Sequence, residues 1–355
     1  MIDERLLIAP ELSIRNTIDK LVTGGRKSVF IVDESMQLLG LFTNGDMRRI
    51  LLSEIDLSLP ISEVMNRNPL TFRSKTEAID YSKGHRLIVY PIVDDSFLVD
   101  MLFSDDNCFS QDSYRALYNV PLVIMAGGKG TRLYPYTKVL PKALIPIGDY
   151  TVSERIIQSF VKYGCKDIYM ILNHKAGMIK AYFNDIKKDY NIFFETEERF
   201  LGTGGGLSLI KGKISSTFML SNCDILIDDD LSCAYQTHIN NGNAITMVCS
   251  SKAFSIPYGV IKSNEKGDIL EIEEKPQFNY LVNTGVYVVE PKALELLKNN
   301  EVIGMPDLIK RCSECGLKVG IFPVSDQAWL DMGQFDTMNQ MLDHFGLSKL
   351  DGGCQ

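Results

Sequence analysis

The sequence predicts an α/β protein in which a large domain with a mixed, mostly parallel sheet follows a smaller domain built from a repeat. Three observations support this prediction. The chain has 355 residues, which is enough for two or three domains. Its first 115 residues contain an internal repeat. The remainder alternates apolar strand patterns with amphipathic helix patterns, as expected for a sheet covered by helices.

The composition is typical of a globular protein and points away from two classes of partner. Hydrophobic residues make up 45% of the chain and charged residues 23%. The net charge of −8 leaves no basic excess to neutralise phosphates, so we expect no nucleic-acid partner. No apolar run of about 18 residues occurs, which predicts no membrane span. Met1–Arg5 lacks the cationic start of a signal peptide, so a cytoplasmic protein is expected.

The eight cysteines are scattered along the chain. Their one close pair is Cys312-Ser-Glu-Cys315, and a single C-x-x-C cannot complete a four-ligand zinc site. Reduced thiols are therefore expected, and the role of the pair stays open.

The amino-terminal repeat has an offset of 61 residues. Ile31-Val32-Asp33 recurs as Ile92-Val93-Asp94, and Leu41-Phe42-Thr43 recurs as Leu102-Phe103-Ser104. Each copy predicts a helix, a β-branched strand, a turn, a second strand and a second helix. Neither copy is large enough to bury its apolar face alone, so the two are expected to pack against each other.

The first copy contains Gly40-Leu-Phe-Thr43-Asn-Gly-Asp46, which resembles the G-x-x-T-x-x-D motif of CBS domains. The resemblance implies a tandem CBS (Bateman) module over residues 1–112, divided at about residues 58 and 59. It also implies that Thr43 and Asp46 contact the phosphate and ribose of a regulatory nucleotide. The second copy departs from the motif at three positions, Met101, Ser104 and Asn107. One intact site at most is therefore expected. The alternative is that Thr43 only caps a helix and that the module has a purely dimerising or positioning role.

After a linker at 113–119, the larger domain is predicted over 120–347, with a tail at 348–355. Strands are predicted at 122–126, 167–172, 192–195 and 218–222, and helices at 152–163 and 176–183. Such alternation predicts a mostly parallel sheet with helices on both faces. Ligand sites in sheets of this kind lie beyond the carboxyl ends of the strands.

A glycine-rich turn follows the first of these strands. Ala126-Gly-Gly-Lys-Gly-Thr-Arg132 ends the apolar run, and Pro141-Lys142 supplies a second cation. Glycines let successive N–H groups face one concavity, which suits phosphate oxygens. The turn lacks the Gly-Lys-Ser/Thr of a P-loop and the dinucleotide G-x-G-x-x-G. It is instead similar to the L-A-G-G-x-G-T-R-L-x-P and P-K-x-L-x-P segments of sugar-1-phosphate nucleotidylyltransferases, which have a Rossmann-like fold.

The resemblance to that family assigns roles to residues of both segments. Arg132 and Lys142 are implied as catalytic cations that hold triphosphate oxygens. Leu201-Gly-Thr-Gly-Gly-Gly-Leu207 resembles the family's L-G-T-A-G-x-L, against which base and ribose lie. Glu197 or Glu198 is a further candidate for the sugar or the base. The implied nucleotide-binding residues are Ala126, Gly127, Gly128, Gly130, Thr131, Gly202, Thr203, Gly204 and Asn222.

Two aspartates match the family's metal ligands. Asp224 follows the apolar strand that ends at Asn222, and Asp331 lies in Trp329-Leu-Asp331-Met-Gly333, which resembles W-x-D-x-G. They are implied to hold Mg²⁺, a hard cation that takes one or two carboxylates plus phosphates and water. Since 107 residues separate them, spacing alone does not show that they meet. The alternative for each is a turn or capping aspartate, and Asp228–Asp230 is interpreted as a solvated helix start.

A hairpin is predicted at Tyr258–Ser263 and Asp268–Glu273. It leads into Glu274-Lys275-Pro276, which resembles the family's E-K-P. The resemblance assigns Lys275 to the sugar phosphate and Glu274 to sugar hydroxyls. Neighbouring segments similar to the family's sugar-binding contacts add three candidates, Gly259, Asn283 and Thr284.

These resemblances imply an enzyme that converts an NTP and a sugar 1-phosphate into NDP-sugar and pyrophosphate. A CBS pair ahead of this domain resembles bacterial mannose-1-phosphate guanylyltransferase-like enzymes of surface-glycan or legionaminic acid synthesis. GTP and glucosamine 1-phosphate are the expected substrates, and a homo-oligomer is expected because CBS modules pair. The alternatives are mannose or heptose 1-phosphate, UTP, CTP or dTTP, and a non-sugar phosphate such as phosphocholine. A non-catalytic regulatory subunit that binds nucleotide sugars is an alternative of another class.

Overall fold

A computed structural model describes residues 2–53, 55–82, 87–103 and 116–333. The chain divides into two units, Met1–Asp112 (unit 1) and Ser113–Gln355 (unit 2). The predicted second helix of the second repeat copy and the predicted tail lie outside the described residues.

Unit 1 contains five strands and three helices within its described ranges. The strands are β1 (Leu7–Ile8), β2 (Ser28–Val32), β3 (Leu38–Thr43), β4 (Val89–Asp94) and β5 (Phe97–Phe103). The helices are α1 (Ile14–Thr23), α2 (Asn44–Leu51) and α3 (Lys75–Ser82). The first repeat copy thus has the predicted order of helix, strand, strand and helix.

The two repeat copies of unit 1 share a buried core cluster, and the second copy has a further cluster of its own. β2 pairs with β3, and β4 pairs with β5, both antiparallel. The copies are joined by backbone hydrogen bonds from Leu38 N–H to Ser96 O and from Leu98 N–H to Met36 O, both 2.9 Å. Side chains of the second copy, such as Phe103, pack in the same buried cluster as those of the first. The shared core explains how two small copies bury their apolar faces.

Unit 2 contains the larger sheet and its helices. Its strands are β6 (Leu122–Ala126), β7 (Pro146–Ile147), β8 (Tyr150–Thr151), β9 (Asp167–Leu172), β10 (Asn191–Thr196), β11 (Phe218–Asn222), β12 (Ile225–Ile227), β13 (Ile245–Ser255), β14 (Gly259–Ser263), β15 (Ile269–Glu274), β16 (Gln277–Val289), β17 (Val319–Ser325) and β18 (Trp329–Asp331). Its helices are α4 (Tyr136–Val139), α5 (Val152–Val161), α6 (Ala176–Asp185), α7 (Gly202–Gly205), α8 (Leu231–Asn241), α9 (Pro291–Leu294) and α10 (Met305–Glu314).

Seven strands form one sheet in the order β10-β9-β6-β11-β16-β13-β17. β16 runs antiparallel to both of its neighbours, and the other pairs are parallel. The predicted mixed, mostly parallel sheet is confirmed. The strands predicted at 122–126, 167–172 and 218–222 have the observed bounds, because buried parallel strands are continuous apolar runs.

Helices cover both faces of this sheet. In β6, Leu122 and Ile124 pack in the cluster that contains Phe160 of α5 and Phe183 of α6. Val123, between them, packs in the other cluster, with side chains from α9 and α10. Alternate side chains of a strand point to opposite faces, so both faces of β6 are buried. The predicted doubly covered sheet is therefore confirmed.

Local signals explain where two of the elements begin. Thr151 starts α5 with a capping box, since its hydroxyl accepts from Glu154 N–H and the Glu154 carboxylate accepts from Thr151 N–H. Asp230 caps α8, which agrees with the interpretation of Asp228–Asp230 as a helix start. The predicted hairpin is observed as β14 and β15. No helix in the described ranges has both the length and the apolar character needed to cross a bilayer.

Candidate active site

A cavity of about 340 Å³ lies beyond the carboxyl ends of β6 and β11. Its position matches the predicted location of a ligand site in this kind of sheet. Its lining residues are Met125, Gly127, Gly128, Gly130, Thr131, Arg132, Leu133, Lys142, Glu197, Phe200, Thr203, Asn222, Cys223, Asp224 and Gly333. The cavity thus brings together both predicted cations, most of the predicted glycine turn and one predicted metal ligand. Ala126 is buried at the end of β6, directly before this turn.

The glycine turn folds back onto the segment that carries Lys142. Gly130 has φ of 63°, and a Cβ at this position would lie 3.0 Å from Thr137 Cγ2 and 3.1 Å from Lys142 Cβ. The Thr137 hydroxyl donates to Gly130 O at 2.8 Å. Position 130 therefore requires glycine for both its backbone conformation and its close contacts.

Lys142 and Asp224 form an ion pair at the cavity. Lys142 lies in a 3-10 turn, Lys142–Leu144, and Asp224 follows β11. The two side chains are only 9% and 17% exposed. Removing two charges from water is costly, so a pair this buried is weak evidence for a purely stabilising role.

Asp331 lies beside Asp224 because β18 pairs with β12. In this antiparallel pair Ile225 lies opposite Asp331, and Met332 N–H donates to Asp224 O at 2.9 Å. Burial raises the pKa of Asp331, and the nearby negative charge of Asp224 raises it further. The structure therefore brings together two carboxylates that the sequence leaves far apart.

Arg132 lies at the same corner of the cavity. A Cβ built on Gly333 would be 3.3 Å from Arg132 Nη1 and 2.9 Å from Asp331 Oδ1. Arg132 and Asp331 thus both lie close to the backbone at Gly333.

The donor set fits a magnesium ion. No cluster of three or more His, Cys, Asp or Glu side chains occurs in the part of the chain that the structure describes. Mg²⁺ needs only one or two carboxylates, because phosphates and water complete its octahedron. Burial, and after it the charge of Asp224, disfavours the ionised form of Asp331 and raises its pKa, and a divalent cation held between the two carboxylates would offset both effects.

Glu197 lines the cavity and Glu198 does not. The Glu197 side chain is 5% exposed, and burial raises its pKa. Its Oε1 accepts from Leu201 N–H at 3.3 Å. A Cβ on Gly127 would lie 2.7 Å from Glu197 Oε2, and a Cβ on Gly206 would lie 2.8 Å from Oε1. Two glycines thus make room for this carboxylate, whereas Glu198 is exposed.

The glycines of the Leu201–Leu207 segment have different surroundings. Thr203 lines the cavity and its Oγ1 accepts from Met305 N–H at 3.2 Å. Gly202 and Gly204 instead lie against the backbone of Ile303 and Gly304, where a Cβ would clash at 2.6 and 2.8 Å. These two predicted nucleotide-binding residues are not among the residues that line the cavity, and close packing explains why they are glycines.

Asn222 connects the cavity to the predicted sugar-binding strand. A Cβ on Gly285 would lie 2.4 Å from Asn222 Nδ2, so the two residues are in contact. Asn283 Nδ2 donates to the Tyr287 hydroxyl at 2.7 Å, and the buried Thr284 hydroxyl donates to Val248 O at 2.7 Å. Asn283 and Thr284 therefore support the wall beside Asn222 and do not line the cavity.

The remaining sugar-binding candidates lie on and beside the β14–β15 hairpin. Gly259 pairs with Glu274 across the hairpin. Lys275 has φ of 51°, and its N–H donates to Tyr258 O at 3.3 Å. Gly259, Glu274 and Lys275 are not lining residues of the described cavity.

Some lining residues were not predicted. They are Met125, Leu133, Phe200, Cys223 and Gly333. Cys223 and Gly333 are within two residues of the predicted aspartates, so adjacency was the signal that could have found them. Burial raises the pKa of the Cys223 thiol to about 12, and Asp224 contributes to the rise. Cys312 is buried and Cys315 is exposed, and neither forms a disulfide.

In unit 1, Thr43 and Asp46 form a capping box at the start of α2. The Asp46 carboxylate accepts from Thr43 N–H at 2.9 Å and from the Thr43 hydroxyl at 2.7 Å, and it pairs with Arg49. The capping role that was an alternative for Thr43 is thus observed.

The fold is that of an α/β protein whose cavity brings together a glycine turn, two cations and the Asp224 carboxylate, with Asp331 beside Asp224. Residues 122–345 match the family model described as nucleotidyl transferase, and the chain belongs to this family. The predicted class, a nucleotidyltransferase, is confirmed at this level.

Curated relatives agree with the assignment, and a solved structure agrees with the fold. The chain is 29% identical over 233 residues to a UTP–glucose-1-phosphate uridylyltransferase from Synechocystis sp., covering 60% of each chain. It is 32% identical over 185 residues to a mannose-1-phosphate guanyltransferase from Aspergillus fumigatus, covering 50% of this chain and 51% of the relative. The chain spans about half the length of the curated relatives it matches. The crystal structure of HddC from Yersinia pseudotuberculosis, at 20% identity, superposes with a TM-score of 0.51 and covers 64% of this chain and 99% of that one. It supports the fold alone.

Proposed function

We propose that the protein transfers a nucleotidyl group from an NTP to a sugar 1-phosphate, giving NDP-sugar and pyrophosphate. The observation that carries this proposal is the convergence of the glycine turn, Arg132 and the Lys142–Asp224 pair on one cavity, with Asp331 beside Asp224. Nucleotidyl transfer needs a neutralised α-phosphate and a stabilised pyrophosphate more than covalent help from the protein. The supply of cations and carboxylates at this cavity meets that need.

The residues of the chain would have the following roles in the reaction. N–H groups of the glycine turn bind the triphosphate, and the planar guanidinium of Arg132 donates to its terminal phosphates. Lys142 neutralises the reacting phosphates from the cavity floor. An oxygen of the sugar phosphate then forms a bond to the α-phosphorus, and the bond from that phosphorus to the pyrophosphate oxygen breaks.

Asp224 and Asp331 would hold Mg²⁺. When bound, this ion neutralises charge on the phosphates and orients them. Lys142 holds the Asp224 carboxylate in place through the ion pair. The backbone N–H of Gly333, which donates to Asp331 Oδ1 at 2.6 Å, fixes the second carboxylate.

We propose guanine as the preferred base, and Glu197 as its ligand. A carboxylate has two acceptor oxygens, and guanine presents two neighbouring donors, its N1–H and its 2-amino group. Uracil and thymine present one N–H between two carbonyl oxygens, which a carboxylate repels. The similarity to a mannose-1-phosphate guanyltransferase supports GTP, and the similarity to a uridylyltransferase makes UTP the alternative.

The proposed sugar substrate is glucosamine 1-phosphate, for surface glycan or legionaminic acid synthesis, with mannose or heptose 1-phosphate as the alternative. Lys275 would bind the sugar phosphate, and Gly259, Glu274, Asn283 and Thr284 would surround the sugar. Support comes from β16, which runs from beside Lys275 to the contact between Gly285 and Asn222 at the cavity.

Residues 1–112 are proposed to form a tandem CBS module of a homo-oligomeric protein. The shared core of the two repeat copies supports the pairing. Thr43 and Asp46 are the candidate ligands of a regulatory nucleotide, which would have to displace the bonds of the capping box. Asp46→Ala tests this role, because loss of nucleotide binding would support a sensor and unchanged binding a scaffold.

Pyrophosphate release with Mg²⁺ tests the proposed reaction. GTP, UTP, CTP, dTTP and ATP would each be combined with glucosamine, mannose, glucose and heptose 1-phosphates and with phosphocholine. A GTP-dependent signal with one sugar is expected. Pyrophosphate release with phosphocholine alone would show that the acceptor substrate is not a sugar 1-phosphate. Nucleotide-sugar binding without release of pyrophosphate would indicate a regulatory subunit.

A further inference from the structure

Lys175 binds the end of a helix that lies between the two predicted catalytic cations. Its Nζ donates to Thr137 O at 3.0 Å, to Lys138 O at 2.6 Å and to Val139 O at 2.8 Å. An ammonium group has three donors and no acceptor. All three donors of Lys175 are therefore used on three consecutive carbonyls.

The carbonyls that Lys175 binds need a partner. α4 has only four residues. The last carbonyls of a helix find no N–H donor within the helix. A lysine near a helix carboxyl terminus satisfies these carbonyls and interacts favourably with the helix dipole. Lys175 reaches them from a different part of the chain, the turn between β9 and α6.

The backbone of Lys175 is held in an unusual conformation. Its φ is 55° and its ψ 32°, the left-handed region that residues other than glycine rarely adopt. Such conformations persist where surrounding contacts fix them, and they concentrate at functional sites. The neighbouring His174 N–H donates to Gly127 O at 3.4 Å, so the same turn also contacts the glycine turn.

Much of the segment that Lys175 holds is exposed to solvent. Tyr134, Tyr136 and Val139 are 46%, 56% and 71% exposed. Leu133 and Thr137 are its buried side chains. Arg132 lies at one end of this segment and Lys142 follows its other end. A displacement of α4 would therefore move both cations.

We propose that Lys175 is a positioning residue for the phosphate-binding segment, residues 130–142. It fixes α4 to the carboxyl end of β9 and so sets the places of Arg132 and Lys142 before a nucleotide binds. The inference rests on the proposed function for its effect on turnover, but its structural part does not. A misplacement of about 1 Å at a site of this kind costs about 100-fold in rate.

Hydrogen exchange of the free protein tests the structural part without any activity. Lys175→Met keeps an unbranched side chain that is one heavy atom shorter, and it removes the three donors. Amides in peptides covering 131–142 are expected to exchange at least about tenfold faster, with the rest of unit 2 unchanged. Lys187→Met, at an exposed lysine that follows α6, is the matched control and should leave this exchange as it is. Unchanged exchange in Lys175→Met, or faster exchange throughout unit 2, would overturn the proposal.

Steady-state kinetics test the effect on the site. Lys175→Met is expected to lower kcat/KM for the NTP by about 10- to 100-fold and to change KM for the sugar 1-phosphate by less than about twofold. Lys175→Arg, which retains the positive charge and N–H donors, should recover most of the loss. Equal losses for both substrates, or no recovery with arginine, would contradict a positioning role. If wild-type protein shows no turnover but the phosphate-binding segment exchanges faster in Lys175→Met, the proposed function fails and the positioning inference stands.

Discussion

Two pairs of motif residues in this protein, one in each unit, differ in how far apart their members lie in the sequence. Thr43 and Asp46 in unit 1 are three residues apart and contact each other across the first turn of α2. Lys142 and Asp224 in unit 2 are 82 residues apart and meet at the cavity. The capping box of α2 accounts for the contact within the first pair. It does not account for the second, which needs a functional explanation.

The ion pairs of the two sites also differ in their exposure to solvent. Asp46 pairs with Arg49, whose side chain is 79% exposed, so water and salt screen the interaction. Lys142 and Asp224 are 9% and 17% exposed. A pair shielded to that degree repays its desolvation only with further partners, and phosphates and a divalent cation are the natural ones. The comparison predicts large catalytic effects in unit 2 and small stability effects in unit 1.

The largest effect is expected for Asp224→Asn. This change keeps the size of the side chain but removes the carboxylate that pairs with Lys142 and that we propose as a metal ligand. Nucleotidyl transfer should fall by about 1,000-fold, because charge stabilisation at the phosphates supplies most of the rate. Initial rates of pyrophosphate release measure the loss. Asp185→Asn, at an exposed aspartate of α6, is the control, and a similar loss there would contradict the assignment.

Asp331→Asn should reduce activity by about 100-fold and at the same time stabilise the fold. Burial and Asp224 raise the pKa of Asp331, so the folded state holds its proton more tightly than the unfolded state. For such a carboxyl, stability decreases as pH rises from the unfolded pKa through the folded pKa. At pH 7 without metal, removal of the charge should raise Tm by about 1–3 °C. The gain should vanish at a pH below the unfolded pKa of Asp331, and an equal gain at both pH values would show that the charge is not its cause.

Glu197→Gln should alter the choice of base. The amide keeps one acceptor and adds a donor, so it matches guanine less well and the carbonyl oxygen of uracil or thymine better. The ratio of kcat/KM for GTP to that for UTP should fall by about 10- to 100-fold. Glu198→Gln, at the exposed neighbour, should leave the ratio unchanged. A ratio that does not respond to either change would remove Glu197 from base recognition.

The smallest effect is expected for Thr43→Ala. Loss of the cap of α2 should reduce the free energy of unfolding by about 1 kcal/mol and leave nucleotidyl transfer unchanged. Ser13 caps α1 in the same unit and lies outside the CBS-like motif, so Ser13→Ala is the matched comparison. Denaturant unfolding measures both. A change in transfer rate with Thr43→Ala but not with Ser13→Ala would show that the motif does more than cap a helix.

The sequence predicted the frame of unit 2 well because its signals are local. β6, β9 and β11 are buried runs of apolar residues, and their observed bounds equal the predicted ones. The hairpin strands were predicted one residue too early at their starts, since exposed edge strands have weak boundaries. Gly202 and Gly204 were predicted as nucleotide ligands, and this stays a prediction; the structure shows that both pack closely against Ile303 and Gly304.

The parts of the site that could not be predicted depend on long-range geometry. Asp224 and Asp331 meet only because β12 pairs with β18. Glu197 and Glu198 are equivalent in the sequence, and only the packing of Gly127 and Gly206 shows which one is buried. Lys175 carries no local signal, because its partners are the carbonyls of a helix on another segment.

The most direct test of the central claim is the fate of oxygen during turnover. Sugar 1-phosphate labelled with ¹⁸O in its phosphate would be incubated with GTP and Mg²⁺, and the products analysed by mass spectrometry. The account predicts that the label appears in NDP-sugar and not in pyrophosphate, because the sugar phosphate oxygen attacks the α-phosphorus held at the Lys142–Asp224 pair. Bound GTP with no NDP-sugar formed across the sugar panel, or label in pyrophosphate, would contradict it.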